Sequence, residues 1–255
     1  MSLSDLALAE LLAEAAGQAI RPWFRRPFLV ETKEDFSPVT AADREAEAAI
    51  RRLLEQYRPD DGVIGEEYGD DRPDAERVWV LDPIDGTRAF VAGRPLFGTL
   101  IGLMVQGQPV LGIIDQCIIG DRWIAGPEQP TMLNGQRVHV RPCPDLAHAR
   151  IGTTSPQAFE AADFACFERV RVAAGDTLYG GDCHNYGLAA AGHLDAVVES
   201  GLKLHDWCAL VPIITGAGGV MTDWQGQTLT TSSRGAVIAA GDPALAVAIA
   251  AALAG

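Results

Sequence analysis

Two aspartates three residues apart, Asp82 and Asp85, close the apolar run Val78-Trp79-Val80-Leu81 and are followed by Gly86 and Thr87. Such a run reads as a buried strand, and ligands in α/β folds gather at the carboxyl ends of strands. Carboxylates held this close repel one another unless a proton or a cation lies between them, and hard divalent cations prefer oxygen ligands of this kind. On this reading Asp82 bridges two ions and Asp85 binds one. The bland alternative is a turn at Pro83 continued by Asp85-Gly86, with the carboxylates capping backbone groups. The strand context, the doubled aspartate and the Thr87 hydroxyl weigh against it.

Three further acidic pieces each have an ordinary structural account when taken alone. In Val63-Ile64-Gly65-Glu66-Glu67 the adjacent acids point to different sides, so one of them faces a shared site or both are solvated. Asp43 falls in the first turn of a helix opened by Thr40, where it complements the helix dipole or pairs with the Thr87 hydroxyl to orient an attacking water. Asp206, in Leu204-His205-Asp206-Trp207, again starts an apolar helix. Only their conjunction asks for a common explanation.

The elements that must position these residues alternate between helical and strand-like patterns. Leucines and Ile20 at helical spacing predict a helix over 3–20, with Ser2 or Ser4 as its cap. A connection over 21–38 carries three prolines and a short strand near 28–31, and a second helix covers 41–57. Short apolar runs at 62–65, 78–81, 99–105 and 110–114 predict strands, and Gln106-Gly107-Gln108 makes a hairpin turn between the last two. Helices are expected at 156–168, 182–192, 205–217 and 243–253, with strands near 149–153, 194–198, 219–222 and 235–239. The fold class is mixed α/β. The break at Arg141-Pro142-Cys143-Pro144 divides an N-terminal subdomain, residues 1–145, from a C-terminal one, residues 146–255.

Composition narrows the partners. The chain of 255 residues is 48% hydrophobic, and its 34 acidic and 20 basic residues leave a formal net charge of −14. A field of that sign repels nucleic acid polymers and anionic membranes. A small anionic substrate then requires local cations to reverse the potential. Five scattered cysteines without C-x-x-C spacing, a start lacking a basic leader, and apolar runs too short for a membrane span point to the cytoplasm.

Glu66-Glu67 after Ile-Gly, the string Asp82-Pro83-Ile84-Asp85-Gly86-Thr87, and Asp206 followed by a helix and Ala217-Gly218-Gly219 resemble the three motifs of the inositol monophosphatase superfamily. They stand in the same order and at suitable separations over nearly the whole chain. Within it, Gly93-Arg94-Pro95-Leu96-Phe97-Gly98-Thr99, Gly180-Gly181-Asp182-Cys183 and Asp206-Trp207 before Ala-Leu-Val-Pro are most similar to the histidinol-phosphate phosphatase branch. Inositol phosphatases tend to place Trp before the last aspartate, whereas Trp207 follows it here.

The resemblance implies a layered αβαβα sandwich of the inositol monophosphatase and fructose-1,6-bisphosphatase type, a homodimer, and a Mg²⁺-dependent phosphomonoesterase acting on a small phosphorylated substrate. One Mg²⁺ would be held by Glu66, Asp82 and the Ile84 carbonyl, a second by Asp82, Asp85 and Asp206, and a third, weaker ion by Glu66 and water. Asp43 and Thr87 would direct water, and the Gly86 and Thr87 N–H groups would hold phosphate. Asp182 and Glu199 would face the alcohol portion and favour a cationic amino alcohol, L-histidinol phosphate, as in histidine biosynthesis. Inositol phosphate, fructose bisphosphate and 3′-phosphoadenosine 5′-phosphate are the alternatives within the fold, and a metal-binding regulatory protein is the one outside enzymology. The two-residue gap between Asp82 and Asp85 argues against an aspartyl-phosphate mechanism of the haloacid dehalogenase type, where the gap is one.

Overall fold

The computed structural model describes residues 3–27, 31–32, 38–127 and 129–255. The first elements are α1 (Asp5–Ile20), β1 (Glu31–Thr32), β2 (Pro38–Val39), α2 (Ala41–Tyr57), β3 (Gly62–Gly65), β4 (Gly69–Asp71), β5 (Arg77–Asp85) and α3 (Thr87–Val91). A run of strands follows: β6 (Gly98–Val105), β7 (Gln108–Gln116), β8 (Asp121–Gly126), β9 (Gln129–Leu133) and β10 (Gln136–Arg137). The rest comprises β11 (Arg150–Thr153), α4 (Ala161–Ala173), β12 (Asp176–Tyr179), α5 (Cys183–Ala190), β13 (Ala196–Glu199), α6 (Leu204–Trp207), α7 (Leu210–Gly216), β14 (Val220–Asp223), β15 (Val237–Ala240) and α8 (Pro243–Ala254).

Two sheets carry the molecule. The larger has the strand order β10-β9-β8-β7-β6-β5-β3-β4 and is antiparallel except where β3 runs beside β5. The smaller has the order β12-β11-β13-β15-β14, parallel across its first three strands and antiparallel at β15 and β14.

Period-two alternation sorts side chains into layers. On β5, Trp79 and Leu81 pack with Leu8, Leu12 and Ile50 of α1 and α2, while Val78 and Val80 face the opposite core with α5 and α7. On β13, Val197 joins that same central core, whereas Val198 turns outward to Phe167 and Ile249 of α4 and α8. The stacking is therefore helices, sheet, helices, sheet, helices, the αβαβα arrangement expected.

Caps set the helix starts. The Ser4 hydroxyl accepts the Ala7 N–H at 3.2 Å and opens α1, while Ser2 lies outside the described residues. Thr40 and Asp43 form a reciprocal capping box that opens α2. The strand expected near 28–31 falls mostly on residues outside the described set; Glu31 begins β1.

Three expectations need correction. The helix placed at 156–168 lies at 161–173, because Ser155-Pro156 opens a separate short turn in which the Ser155 hydroxyl accepts the Gln157 N–H at 3.2 Å. The helix placed at 205–217 is two, α6 and α7, since Pro212 has no N–H to donate back to Cys208. The strands β2, β4, β8, β9, β10 and β12 are absent from the sequence reading, for they are very short or mix polar and charged residues, glycine or proline with few consecutive apolar positions. Among the described residues, no helix is long and apolar enough to cross a membrane, and all five cysteines are free.

The break between α6 and α7 rests directly on the large sheet. A side chain at Gly112 on β7 would run into the Ala209 carbonyl, and a Cβ at Gly102 on β6 would meet the Cys208 Sγ at 2.7 Å. Backbone cannot step aside as a flexible side chain does. Gly112→Ala is expected to lower stability by about 1–3 kcal/mol in a denaturant melt, whereas Gly107→Asn, with no neighbour within 4 Å, should lower it less, because only the left-handed backbone at φ +75° is strained there.

Candidate metal and phosphate site

In a regular strand, residues three apart point to opposite faces, so Asp82 and Asp85 would be separated by the sheet itself. The pairing of β5 with β6 slips between them: Asp82 stands opposite Leu100 and Asp85 opposite Gly98, an extra residue on β5. This bulge brings both carboxylates to one side. It is held by the Thr99 hydroxyl donating to the Pro83 carbonyl at 2.8 Å and by the Ile84 N–H donating to Asp82 Oδ1 at 3.1 Å.

Asp206 arrives from the first turn of α6, fixed by the Lys203 N–H donating to its Oδ2 at 2.6 Å. Carboxylate oxygens of Asp82, Asp85 and Asp206 all lie within 4.8 Å of one another. The parallel register of β3 and β5 pairs Gly65 with Leu81, so the next residues, Glu66 and Asp82, meet, and their carboxyls lie within hydrogen-bonding reach. The Glu66 N–H donates to the Leu81 carbonyl at 3.2 Å.

Burial pushes the Asp82 carboxyl well above the usual carboxylate range, and the charges of Glu66, Asp85 and Asp206 push it further. Asp85 is raised by burial and by Asp182 and Asp206. Asp206 is raised by burial against the opposing pull of His205 and Lys203. A set of oxygen donors whose charges disfavour one another fits a hard divalent cation.

Asp43 is buried at 1% exposure; its Oδ2 accepts the Thr40 N–H at 2.9 Å and the Thr40 hydroxyl at 2.6 Å. Its Oδ1 has no hydrogen-bond partner among the described residues. The expected pair with Thr87 is not formed: the Thr87 hydroxyl donates to the Ile84 carbonyl, three residues back, at 3.1 Å. A hydroxyl at a helix start finds such a local acceptor without spanning between elements. Gly86 caps α3 at φ 88°, and the first-turn N–H groups lack acceptors within their own helix.

Asp182 and Glu199 extend the site. Asp182 packs against Gly86, where a Cβ would lie 3.0 Å from its Cγ, and the neighbouring Cys183 N–H donates to Asp85 Oδ2 at 2.6 Å. Glu199, at the end of β13, accepts the Thr154 N–H and the Tyr186 hydroxyl, each at 2.8 Å. A cavity of about 290 Å³ is lined by Asp85, Asp206, Asp182, Glu199, Arg88 and Tyr186 among others. Burial and the Glu199 charge push Asp182 up to about 7, against the opposing Arg88 guanidinium. Burial likewise raises Glu199.

The structure thus brings Glu66, Asp82, Asp85 and Asp206 together, with Asp182 and Glu199 along the adjoining cavity. The fastening groups were missed in the sequence. Those on Lys203, Cys183 and Thr154 are backbone N–H groups, which leave no trace in residue identity. Arg88, a cation directly after Thr87, was visible and went unused.

The sequence model of the "Inositol monophosphatase family" matches residues 3–254. The chain is 46% identical over 235 residues to a bifunctional phosphatase, IMPL2, of Arabidopsis thaliana, covering 91% of this chain and 68% of that protein. It is 35% identical over 237 residues to a histidinol-phosphatase of Chlorobaculum parvum, covering 92% of each. The solved structure of an inositol monophosphatase from Zymomonas mobilis is 54% identical and superposes with a TM-score of 0.91 over 98% of this chain and 97% of that one.

An acid whose pKa is raised by folding binds more protons folded than unfolded, so the metal-free protein loses stability as pH rises from about 4 through the raised values. Asp82→Asn is therefore expected to melt above the native chain in chelator at about pH 8 and to match it more closely at about pH 5. Added Mg²⁺ should raise the melting temperature of the native chain and raise that of the variant less. Thermal melts at the two pH values, with chelator and with Mg²⁺, measure both effects.

Proposed function

The chain belongs to the inositol monophosphatase family, and we propose that it is a Mg²⁺-dependent phosphomonoesterase whose substrate is L-histidinol phosphate. The observation that carries the substrate is the pair of acids, Asp182 and Glu199, lining the cavity that also holds Asp85 and Asp206. One end of that cavity suits a metal-bound phosphate, the other an ammonium or imidazolium group. Likeness to a histidinol-phosphatase supports this reading, while likeness to an inositol monophosphatase makes inositol phosphate the second one.

Glu66, Asp82, the Ile84 carbonyl, Asp85 and Asp206 would hold two Mg²⁺ ions, with a third sharing Glu66. Bound there, Mg²⁺ supplies the positive charge that a phosphate ester needs near so many carboxylates and lowers the pKa of water. The Asp43 Oδ1, unpaired and closed off from solvent as placed, would accept a hydrogen bond from the attacking water after a small turn of the side chain and so direct its lone pair toward phosphorus. The Thr87 oxygen, its proton committed to the Ile84 carbonyl, accepts a second hydrogen bond. The Gly86 and Thr87 N–H groups donate to phosphate oxygens. Asp182 and Glu199 fix the leaving alcohol through its cationic groups, Glu199 being pre-oriented by Thr154 and Tyr186.

A phosphate-release panel with Mg²⁺ decides the substrate. Histidinol phosphate should give the highest kcat/KM among itself, inositol 1-phosphate, fructose bisphosphate and 3′-phosphoadenosine 5′-phosphate; equal or faster release from inositol 1-phosphate sinks the histidinol reading. No release from any of them favours a metal-binding regulatory protein. Asp182→Asn and Glu199→Gln should each lower the preference for histidinol phosphate over inositol 1-phosphate at least about tenfold, ~1.4 kcal/mol. Asp43→Asn should lower kcat by about 10²–10⁴-fold while the melting response to Mg²⁺ persists; an unchanged kcat removes Asp43 from the mechanism.

A further inference from the structure

Glu47 is an acid on the wrong face of its helix. The inner face of α2 is Ala42, Ala46, Ile50 and Leu54, packed on the large sheet, and Glu47 lies among them with no exposure at all. Burying a carboxylate is costly unless its oxygens are fully engaged. They are engaged by one short stretch of chain. Glu47 Oε2 accepts the Glu67 N–H at 2.8 Å, and Oε1 accepts the Tyr68 N–H at 3.2 Å. Arg51, one turn further along α2, donates its Nε to Oε1 at 2.7 Å and a second nitrogen to the Gly69 carbonyl.

With the Glu66 N–H on the Leu81 carbonyl, three successive backbone N–H groups after β3 are tied down: the first to β5, the next two to Glu47. Gly65 completes the contact, since a side chain there would occupy the space of the Glu47 carboxylate. The turn that carries Glu66 is thereby clamped between β5 and α2. Asp43 sits on α2 one turn before Glu47, so a single rigid helix sets both Asp43 and the backbone of Glu66.

We propose that Glu47 is a positioning residue that holds the Glu66 carboxylate at the metal cluster by clamping the two N–H groups that follow it. Gln in its place keeps the volume but offers one acceptor oxygen to two N–H donors, leaving one of them unpaired or the turn displaced. Supporting groups of this kind change metal affinity by about 10–100-fold. The inference rests on the reading of the acidic cluster as a Mg²⁺ site.

The test is the Mg²⁺ dissociation constant of the tighter site, measured by calorimetry on the folded full chain without substrate. Glu47→Gln should raise it about 10–100-fold, and the same change made in a Glu66→Gln background should leave it unaltered, because the effect passes through Glu66. An unchanged constant in folded Glu47→Gln, or an equal loss in both backgrounds, overturns the proposal. If Glu47→Gln does not fold, Arg51→Gln, which keeps the carboxylate but frees it from the guanidinium, should raise the constant by a smaller factor, and no rise overturns it. A native chain that binds no Mg²⁺ refutes the metal site itself, whereas native binding with indifferent variants refutes only the role of Glu47.

Discussion

The repulsion among Glu66, Asp82, Asp85 and Asp206 is the constraint to which the rest of the structure answers. Burial and neighbouring charge disfavour the anions of Asp82, Asp85 and Asp206, with Glu66 among the charges acting on Asp82 and Asp206, and a loosely built protein would relieve this by moving the carboxyls apart. The five layers prevent that. Asp82 and Asp85 sit on a central strand packed on both faces, Glu66 ends the parallel neighbour of that strand, and Asp206 starts a helix whose following break lies against Gly102 and Gly112. A cation converts the same arrangement from a cost into a source of stability.

Conformational strain is placed beside the electrostatic kind. Asp182 adopts φ 45° and ψ −135°, a region a non-glycine residue enters only under compulsion, and it follows Gly180 and Gly181 at φ 89° and 119°. The glycines let the chain approach Gly86 closely, and the Cys183 N–H then reaches Asp85. Residues 180–183 thus bridge Gly86 and Asp85 to the Asp182 side of the cavity, and a relaxed backbone there would lose both contacts.

Much of the site was legible in the sequence because carboxylates at strand and helix ends are local signals. The string from Asp82 to Thr87 needed no tertiary information to stand out, and the layered fold was implied by the family resemblance those motifs carry rather than by the residue pattern itself. The bulge that makes Asp82 and Asp85 neighbours was not legible, since it depends on where β6 pairs. The Asp43 and Thr87 pair does not form for a related reason: the Thr87 hydroxyl has an acceptor three residues away on its own chain. Glu47 left a visible trace, an acid on an apolar helix face with Arg51 one turn on, but the backbone groups it holds lie some twenty residues away and only the fold reveals them.

The net charge of −14 sharpens what the cavity must accomplish. A phosphate ester approaching this surface is repelled until cations occupy the Asp82, Asp85 and Asp206 end, so bound metal is needed for entry as much as for chemistry. The Asp182 and Glu199 end offers two carboxyls that a cationic group would hold ionised against the burial that raises them. A cavity positive at one end and negative at the other exerts a torque on a substrate that carries phosphate and ammonium at opposite ends, and aligns it before any hydrogen bond forms. An inositol phosphate has charge at one end only and would leave two acids facing neutral hydroxyls, which is the physical ground for proposing histidinol phosphate ahead of it.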